Sequence, residues 1–196
     1  MHNVVSVDGF IADENDQPGP LHEWYFSGDT PIGGDQGYDH SGAGSSFRVS
    51  SASAQYVGSM WKAIGVIVMG RRLFDLVDGW EGHPPAGEHV VVVSHRPKPD
   101  GWHPEASYHF VDGVTAAIAK AQELAGERTI AVNAGNVGGQ VLAAGLVDEV
   151  AMDVVPVIFG TGKRYFGSID RQHLMEDPQV VIQGDRVLHL RFKVRR

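Results

Sequence analysis

The chain has 196 residues, 42% of them hydrophobic and 20% charged, which suits one globular core that needs no staple. With no cysteine, disulfides, thiolate metal sites, cysteine nucleophiles and dithiol redox chemistry are excluded together, so redox work requires a bound cofactor. A net charge of −8 argues against a broad nucleic-acid interface, and the expected partner is a small molecule.

Met1-His2-Asn3-Val4-Val5 carries no basic leader, and no later stretch approaches the ~18 apolar residues of a membrane span. The sequence thus points to a cytoplasmic protein without membrane contact. Asn3 to Val7 reads as a first strand, ended by Asp8-Gly9. Residues 27–53 are rich in Gly, Ser and Asp and read as a long loop insertion within a single domain spanning 1–196, of the kind that includes lids. Helical spacing follows over Ser51 to Ile64, then the apolar run Val66-Ile67-Val68-Met69 predicts a buried strand stopped by Gly70.

Further along, Arg71 to Leu76, Val114 to Leu124 and Val137 to Ala144 have helical patterns, while Val90 to Val93 and Thr129 to Val132 repeat the strand signal. Strands alternating with helices predict parallel pairing through crossovers. The last third differs. Gln179 to Gln183 and Val187 to Val194 read as an antiparallel hairpin turning at Gly184-Asp185, with Leu188, Leu190, Phe192 and Val194 on its apolar face. The fold class expected is α/β, a mixed and mostly parallel sheet flanked by helices and closed by that hairpin. The long last strand would expose an edge, so either the rim of Arg191, Lys193, Arg195 and Arg196 or a second copy must cover it, and a homodimer is expected.

Several chemistries fail on inspection. No G-x-S-x-G, no H-E-x-x-H and no G-x-G-x-x-G is present, and the ten histidines lack metal-site spacing. Gly162-Lys163 resembles the end of a phosphate-binding loop, but Val157 stands where a glycine is needed and Arg164 where a hydroxyl is needed. Three strand-to-turn junctions are the positive signals. Gly70-Arg71-Arg72 puts two guanidinium groups at a helix start, where they oppose the macrodipole unless an anion sits there. Ser94-His95-Arg96 offers a hydroxyl, an imidazole and a guanidinium beyond another strand. Asn133-Ala134-Gly135-Asn136-Val137-Gly138-Gly139-Gln140 is a small-residue turn into a helix, which suits close approach of a pyrophosphate.

These junctions, with Ser6-Val7-Asp8-Gly9-Phe10-Ile11-Ala12, Ala144-Gly145-Leu146-Val147-Asp148-Glu149 and Pro156 to Phe166, resemble the dihydrofolate-reductase-like family over nearly the whole chain. Within that family the chain is most similar to the RibD C-terminal reductase domain. The resemblance implies a dihydrofolate-reductase-like fold and an NADPH-dependent reductase of a riboflavin-pathway phosphoribosylaminouracil or a pteridine-like metabolite. It implicates Gly70, Arg71, Arg72, Ser94, His95, Arg96, Ala134, Gly135, Asn136, Val137 and Gln140 in cofactor binding, with Ile11 bordering the nicotinamide. Asp8 is the acidic candidate for catalysis. Phe10 stands where the riboflavin enzymes commonly carry a basic residue. A dihydrofolate reductase also needs a carboxylate on the helix after the first strand, and none occurs from Ser41 to Gly65, which leaves Glu23 as a substitute and disfavours folate. A nucleotide-binding sensor or scaffold without turnover is the alternative from a different class.

Overall fold

The computed structural model describes residues 1–32 and 47–196. The N-terminal part holds β1 (His2–Ser6), β2 (Phe10–Ala12), a 3-10 helix (Gly19–Phe26), β3 (Thr30–Pro31), β4 (Arg48–Val49) and α1 (Ser51–Ala63). Then come β5 (Ile64–Gly70), α2 (Arg71–Leu76), β6 (His89–Val93), β7 (Tyr108–Val111), α3 (Val114–Ala125), β8 (Thr129–Val132) and α4 (Asn136–Ala143). The chain ends with β9 (Glu149–Val155), β10 (Lys163–Arg164), β11 (Val180–Gly184) and β12 (Val187–Lys193).

Strands β7-β6-β5-β8 form one wholly parallel sheet. Strands β1-β9-β12-β11 form another, parallel between β1 and β9 and antiparallel beyond. A parallel bridge between His2 and Asn133 joins the two. The α/β class with a mixed, mostly parallel central sheet is therefore what the chain adopts.

The period of two along each strand explains why β5 is apolar throughout. Val66 and Val68 enter the core under α3 and α4, while Ile67 and Met69 enter a second core with Phe74 and Tyr108. A third core, with Leu21, Trp24 and Val57, lies over β1 and β9 through Val4 and Val155. Because β5, β6, β8, β1 and β9 run in parallel, their C-terminal ends gather along one edge of the sheet, where open α/β sheets bind ligands.

A buried polar line docks α1 onto the second sheet. Ser53 Oγ lies 2.9 Å from His189 Nε2, His189 Nδ1 lies 2.6 Å from Asp153 Oδ1, and Asp153 Oδ2 lies 2.9 Å from His2 Nε2. Burial favours a neutral Asp153, but the His2 charge and the His189 bond outweigh it and hold the carboxyl at about 2. Ser53, His189 and Asp153 resemble a hydrolase triad only in composition, since each is at most 1% exposed. They form a clamp.

Four expectations need correction. Residues 27–53 are not all loop: β3 pairs with β4, α1 starts at Ser51, and residues 33–46 lie outside the described part. The hairpin turn is Asp185-Arg186, since Gly184 pairs with Val187 and the positive φ of 59° falls on Arg186. Gly184 is needed for a different reason, because a Cβ there would overlap Ser53 Oγ at the clamp. The last strand is not an edge, for β12 pairs with β9 and β11 on its two sides and β11 is the edge. Its most buried positions are Val187 and His189, on the face opposite Leu188, which is 36% exposed. A polar His at a core position reads as solvent-facing from sequence alone.

Candidate active site

The first two junctions meet at the strand-end edge in an open cleft of about 380 Å³ lined by Arg71, Arg72, Asp75, Leu76 and Arg96. Asp75 organises it from α2, one helical turn after Arg71. Arg71 Nε donates to Asp75 Oδ1 at 2.7 Å, and Arg96 Nη2 donates to Asp75 Oδ2 at 2.9 Å. Burial opposes ionisation of Asp75, but the two guanidinium groups prevail and lower its pKa. Arg71 also donates to the Pro97 carbonyl at 3.1 Å and lies over the Phe74 and Phe110 rings. Ser94 shapes the loop. Its hydroxyl donates to the Arg96 carbonyl at 2.7 Å and accepts from the Arg96 amide at 3.0 Å. His95 turns away, pairing with Asp112 at 2.6 Å with 89% of its side chain exposed, and does not line the cleft.

Arg72 has a partner the sequence did not suggest. Its Nη2 pairs with Asp16 Oδ2, and Asp16 also lies 3.8 Å from Lys163 Nζ. The Arg72 hydrogen bond lowers the Asp16 pKa and keeps it anionic. Asp16 belongs to a tight turn after β2, in which Asp13 Oδ1 accepts from the Asn15 and Gln17 amides at 2.8 and 2.9 Å. That turn is thereby tied to both α2 and β10.

The third junction separates this cleft from a second one. Gly135 has φ of 90°, open to glycine, and its amide donates to the Tyr165 carbonyl at 2.6 Å. That amide is therefore engaged within the protein. Gly138 and Gly139 serve packing, because a Cβ on Gly138 would stand 2.7 Å from the Asn133 carbonyl and one on Gly139 would overlap the Phe166 carbonyl. A Cβ on Gly135 would stand 3.2 Å from Ile11 Cδ1, so Ile11 does border the turn. Val137 packs toward Gly70, with Cγ2 3.0 Å from where a Cβ would stand, which links this junction to the first. Ala134 packs against the core, while Asn136 and Gln140 are the exposed polar residues at the start of α4.

Beyond the turn, Asp8, Gly9, Arg164, Phe166, Gly167, Ser168 and Ile169 line a cleft of about 460 Å³. Gly167 seats it against α4, since a Cβ there would stand 2.8 Å from Asn136 Cα. Asp8 Oδ1 accepts from the Ser6 hydroxyl at 2.6 Å, and Oδ2 accepts from the Phe159 and Gly160 amides at 3.1 and 2.7 Å. The Ser6 hydroxyl, helped by those amides, holds the Asp8 carboxyl below the usual carboxylate range. Asp8 is thus an engaged anion that anchors the loop after β9, with no proton to donate near neutral pH.

The family model described as the RibD C-terminal domain matches residues 1–189. The chain belongs to the RibD C-terminal domain family. Solved structures agree on the fold. A putative riboflavin biosynthesis protein from Shewanella sp. PV-4 superposes with a TM-score of 0.66 at 21% identity, covering 100% of this chain and 97% of that one. A diaminohydroxyphosphoribosylaminopyrimidine deaminase/5-amino-6-(5-phosphoribosylamino)uracil reductase from Thermotoga maritima gives 0.62 at 12% identity over 99% of this chain. Acinetobacter baumannii RibD gives 0.59 at 15% identity, again over 99%. The chain spans 55% and 56% of the length of those last two proteins. No curated protein gives a significant match.

As a RibD C-terminal family member, the chain brings most of its sequence-derived candidates to one sheet edge and places two apart from the clefts. His95 stands off, and Glu23 is a surface residue 3.7 Å from Arg186. Asp75, Asp16 and Arg164 were missed. Only Asp75 had a local signal, its i,i+4 spacing from Arg71.

Proposed function

We propose that the chain is a cytoplasmic NADPH-dependent reductase of a small polar metabolite, a phosphoribosylaminouracil-like or pteridine-like compound. Membership in the RibD C-terminal family supports an oxidoreductase. The observation that carries the cofactor choice is the set of three guanidinium groups, Arg71, Arg72 and Arg96, held by only two carboxylates, Asp75 and Asp16, in a cleft at the ends of parallel strands. That net positive site, in a chain of net charge −8, fits the 2'-phosphate that distinguishes NADPH from NADH. When bound, NADPH supplies the hydride.

The chain's own contribution is positioning and exclusion of water. Arg72 exchanges Asp16 for the phosphate, Ser94 holds the Arg96 loop, and Ile11 with the Gly135 turn borders the space between the two clefts. Asp8 fixes the loop after β9 and adds negative charge to the second cleft, where a hydride acceptor would sit. The test is substrate-dependent oxidation of NADPH over a panel of aminopyrimidine and pterin compounds. Turnover on one class is expected, and a failure to bind NADPH overturns the reading.

The engaged state of Asp8 favours one second reading, a protein that binds the nucleotide as a sensor or scaffold. NADPH binding with no oxidation in the presence of any panel member would favour it. The proposal also includes a homodimer. Val181 is 59% exposed and stands opposite Leu190 in the hairpin, on the same face as Leu188, leaving an apolar surface on the β11–β12 side of the sheet. Light scattering should give about twice the 21.2 kDa chain mass, and the chain mass itself would contradict a dimer.

A further inference from the structure

Two histidines meet at the edge of the parallel sheet. His89 begins β6 and His109 lies in β7, whose only strand neighbour among the described residues is β6. Val91 stands opposite His109, so by the period of two both rings project to the face of Val91 and Val111, the face that α3 covers. The ring centroids are 5.6 Å apart, and His89 Nδ1 and His109 Nε2 are buried with no hydrogen-bond partner among the described residues. A neutral ring can leave such a nitrogen bare. The imidazolium carries N–H on both nitrogens, so protonating either ring leaves a buried donor unmet.

The surrounding charges act in the same direction. Burial first, then His89, then Lys120 hold the His109 imidazole below its ordinary 6.5, and Lys98 adds to them against the carboxylate of Glu123. Glu123 is itself paired with Lys120 on α3 at 2.9 Å. The closed pair is therefore fully stable above 6.5 and loses stability as pH falls below it, where an opened strand takes up a proton that the closed one refuses. The residues that follow His109 support the first cleft. The Phe110 ring lies 5.6 Å from the Arg71 guanidinium, the Val111 carbonyl accepts from the Ser94 amide at 2.9 Å, and Asp112 pairs with His95 at 2.6 Å.

We infer that the pair of His89 and His109 is an acid-sensitive latch on edge strand β7, and that its release loosens the Arg71, Ser94 and Arg96 side of the first cleft. The latch holds while both rings are neutral. Strand β7 is the element that gives way, because it has one paired side to lose where β5 and β6 have two. Its movement withdraws the ring beside Arg71 and the acceptor of Ser94, the residue whose hydroxyl shapes the Arg96 loop. The link to a cofactor rests on the first cleft being the NADPH site of the proposed reductase, whereas the latch itself does not.

Native-state hydrogen exchange on the whole chain reads the latch directly. The Val90 and Ser94 amides donate to the Ser107 and Val111 carbonyls, and the Asn133 amide, which donates to the Val68 carbonyl on the far side of β5, is the control. Corrected for intrinsic rates, opening at Val90 and Ser94 should rise roughly 3- to 10-fold from about pH 7.5 to about pH 5.5, the scale of one proton, and opening at Asn133 should not. His109→Gln, which keeps a polar side chain without its titration, should abolish the rise, and His89→Gln should reduce it. An equal rise at Asn133 in the parent chain, or an unchanged rise at Ser94 in His109→Gln, overturns the latch. Titration of the His109 ring by NMR in the parent chain needs no variant, and a midpoint at or above 6.5 overturns it as well. NADPH at saturation near pH 5.5, with binding followed by fluorescence, should suppress opening at Ser94 at least about tenfold. NADPH that binds and leaves that opening unchanged overturns the coupling to the cleft. If the pH-dependent opening is present but NADPH does not bind, the latch stands and the cofactor reading is overturned instead.

Discussion

The two clefts at the sheet edge treat charge in opposite ways. In the first, each cation is already paired, Arg71 and Arg96 with Asp75 and Arg72 with Asp16, so a ligand phosphate must displace or share an internal carboxylate. In the second, the carboxylate of Asp8 is satisfied by neutral donors and the guanidinium of Arg164 has no carboxylate among the described residues. A paired cation is held in position but gives back part of its binding energy on exchange. An unpaired one gives nothing back and waits in a geometry set by its aromatic support.

The largest expected effect strikes the wall that both clefts share. Gly139→Ala puts a methyl group into the Phe166 carbonyl and should cost about 3 kcal/mol, at the upper end for overpacking, lowering the melting temperature and weakening ligands at both clefts. A variant with parent-like melting would show that the α4 contact with the second cleft is loose.

Acid should also act away from the clefts, at the buried Asp153. The folded pKa of Asp153 is about 2 against an ordinary 3.8, so the stabilisation it gives is complete above about pH 4 and is lost as pH falls through 2. That stabilisation is about 2 kcal/mol from the size of the shift. Asp153→Asn should flatten the fall in denaturant midpoint between pH 4 and pH 2. An unchanged slope would remove Asp153 from the acid response.

Arg72→Ala separates phosphate from the rest of the cofactor. NADPH should bind roughly 10-fold more weakly while NADH is nearly unchanged, on the scale of a charge-assisted bond. A parallel loss for both nucleotides, read by fluorescence titration, would move Arg72 to the pyrophosphate. Asp16→Asn should act in the opposite direction and more weakly, strengthening NADPH by about two- to fivefold because Arg72 no longer exchanges a full ion pair. Weaker NADPH binding in that variant would make Asp16 a support for Arg72 and not its competitor.

Of the parallel sheet, β5, β6 and β8 were legible as short apolar runs between turn residues, whereas β7, Tyr108-His109-Phe110-Val111, carries a histidine and was not read as a strand. The strand β9 was missed for a physical reason. Glu149-Val150-Ala151-Met152-Asp153-Val154-Val155 places a carboxylate at a core position, and only the distant His2 and His189 make that tolerable. The same distance hid the site chemistry. Arg71 and Arg72 were visible as a pair of charges, but Asp16 lies 56 residues from Arg72, and Arg164 meets Phe10 only through the pairing of two very short strands. Glycines in the third junction also pack. Gly138 and Gly139 let α4 pass close to Asn133 and Phe166, a packing role that small residues in a turn do not disclose by themselves.

In the proposed reductase the cleft of Arg71, Arg72 and Arg96 reads a 2'-phosphate. Parallel fluorescence titrations of the parent chain with NADPH and NADH, at one fixed ionic strength, test it most directly. NADPH should bind at least about tenfold more tightly, and the difference should shrink as salt is raised, as expected for exposed charges. Equal affinity for the two nucleotides at low salt would contradict it.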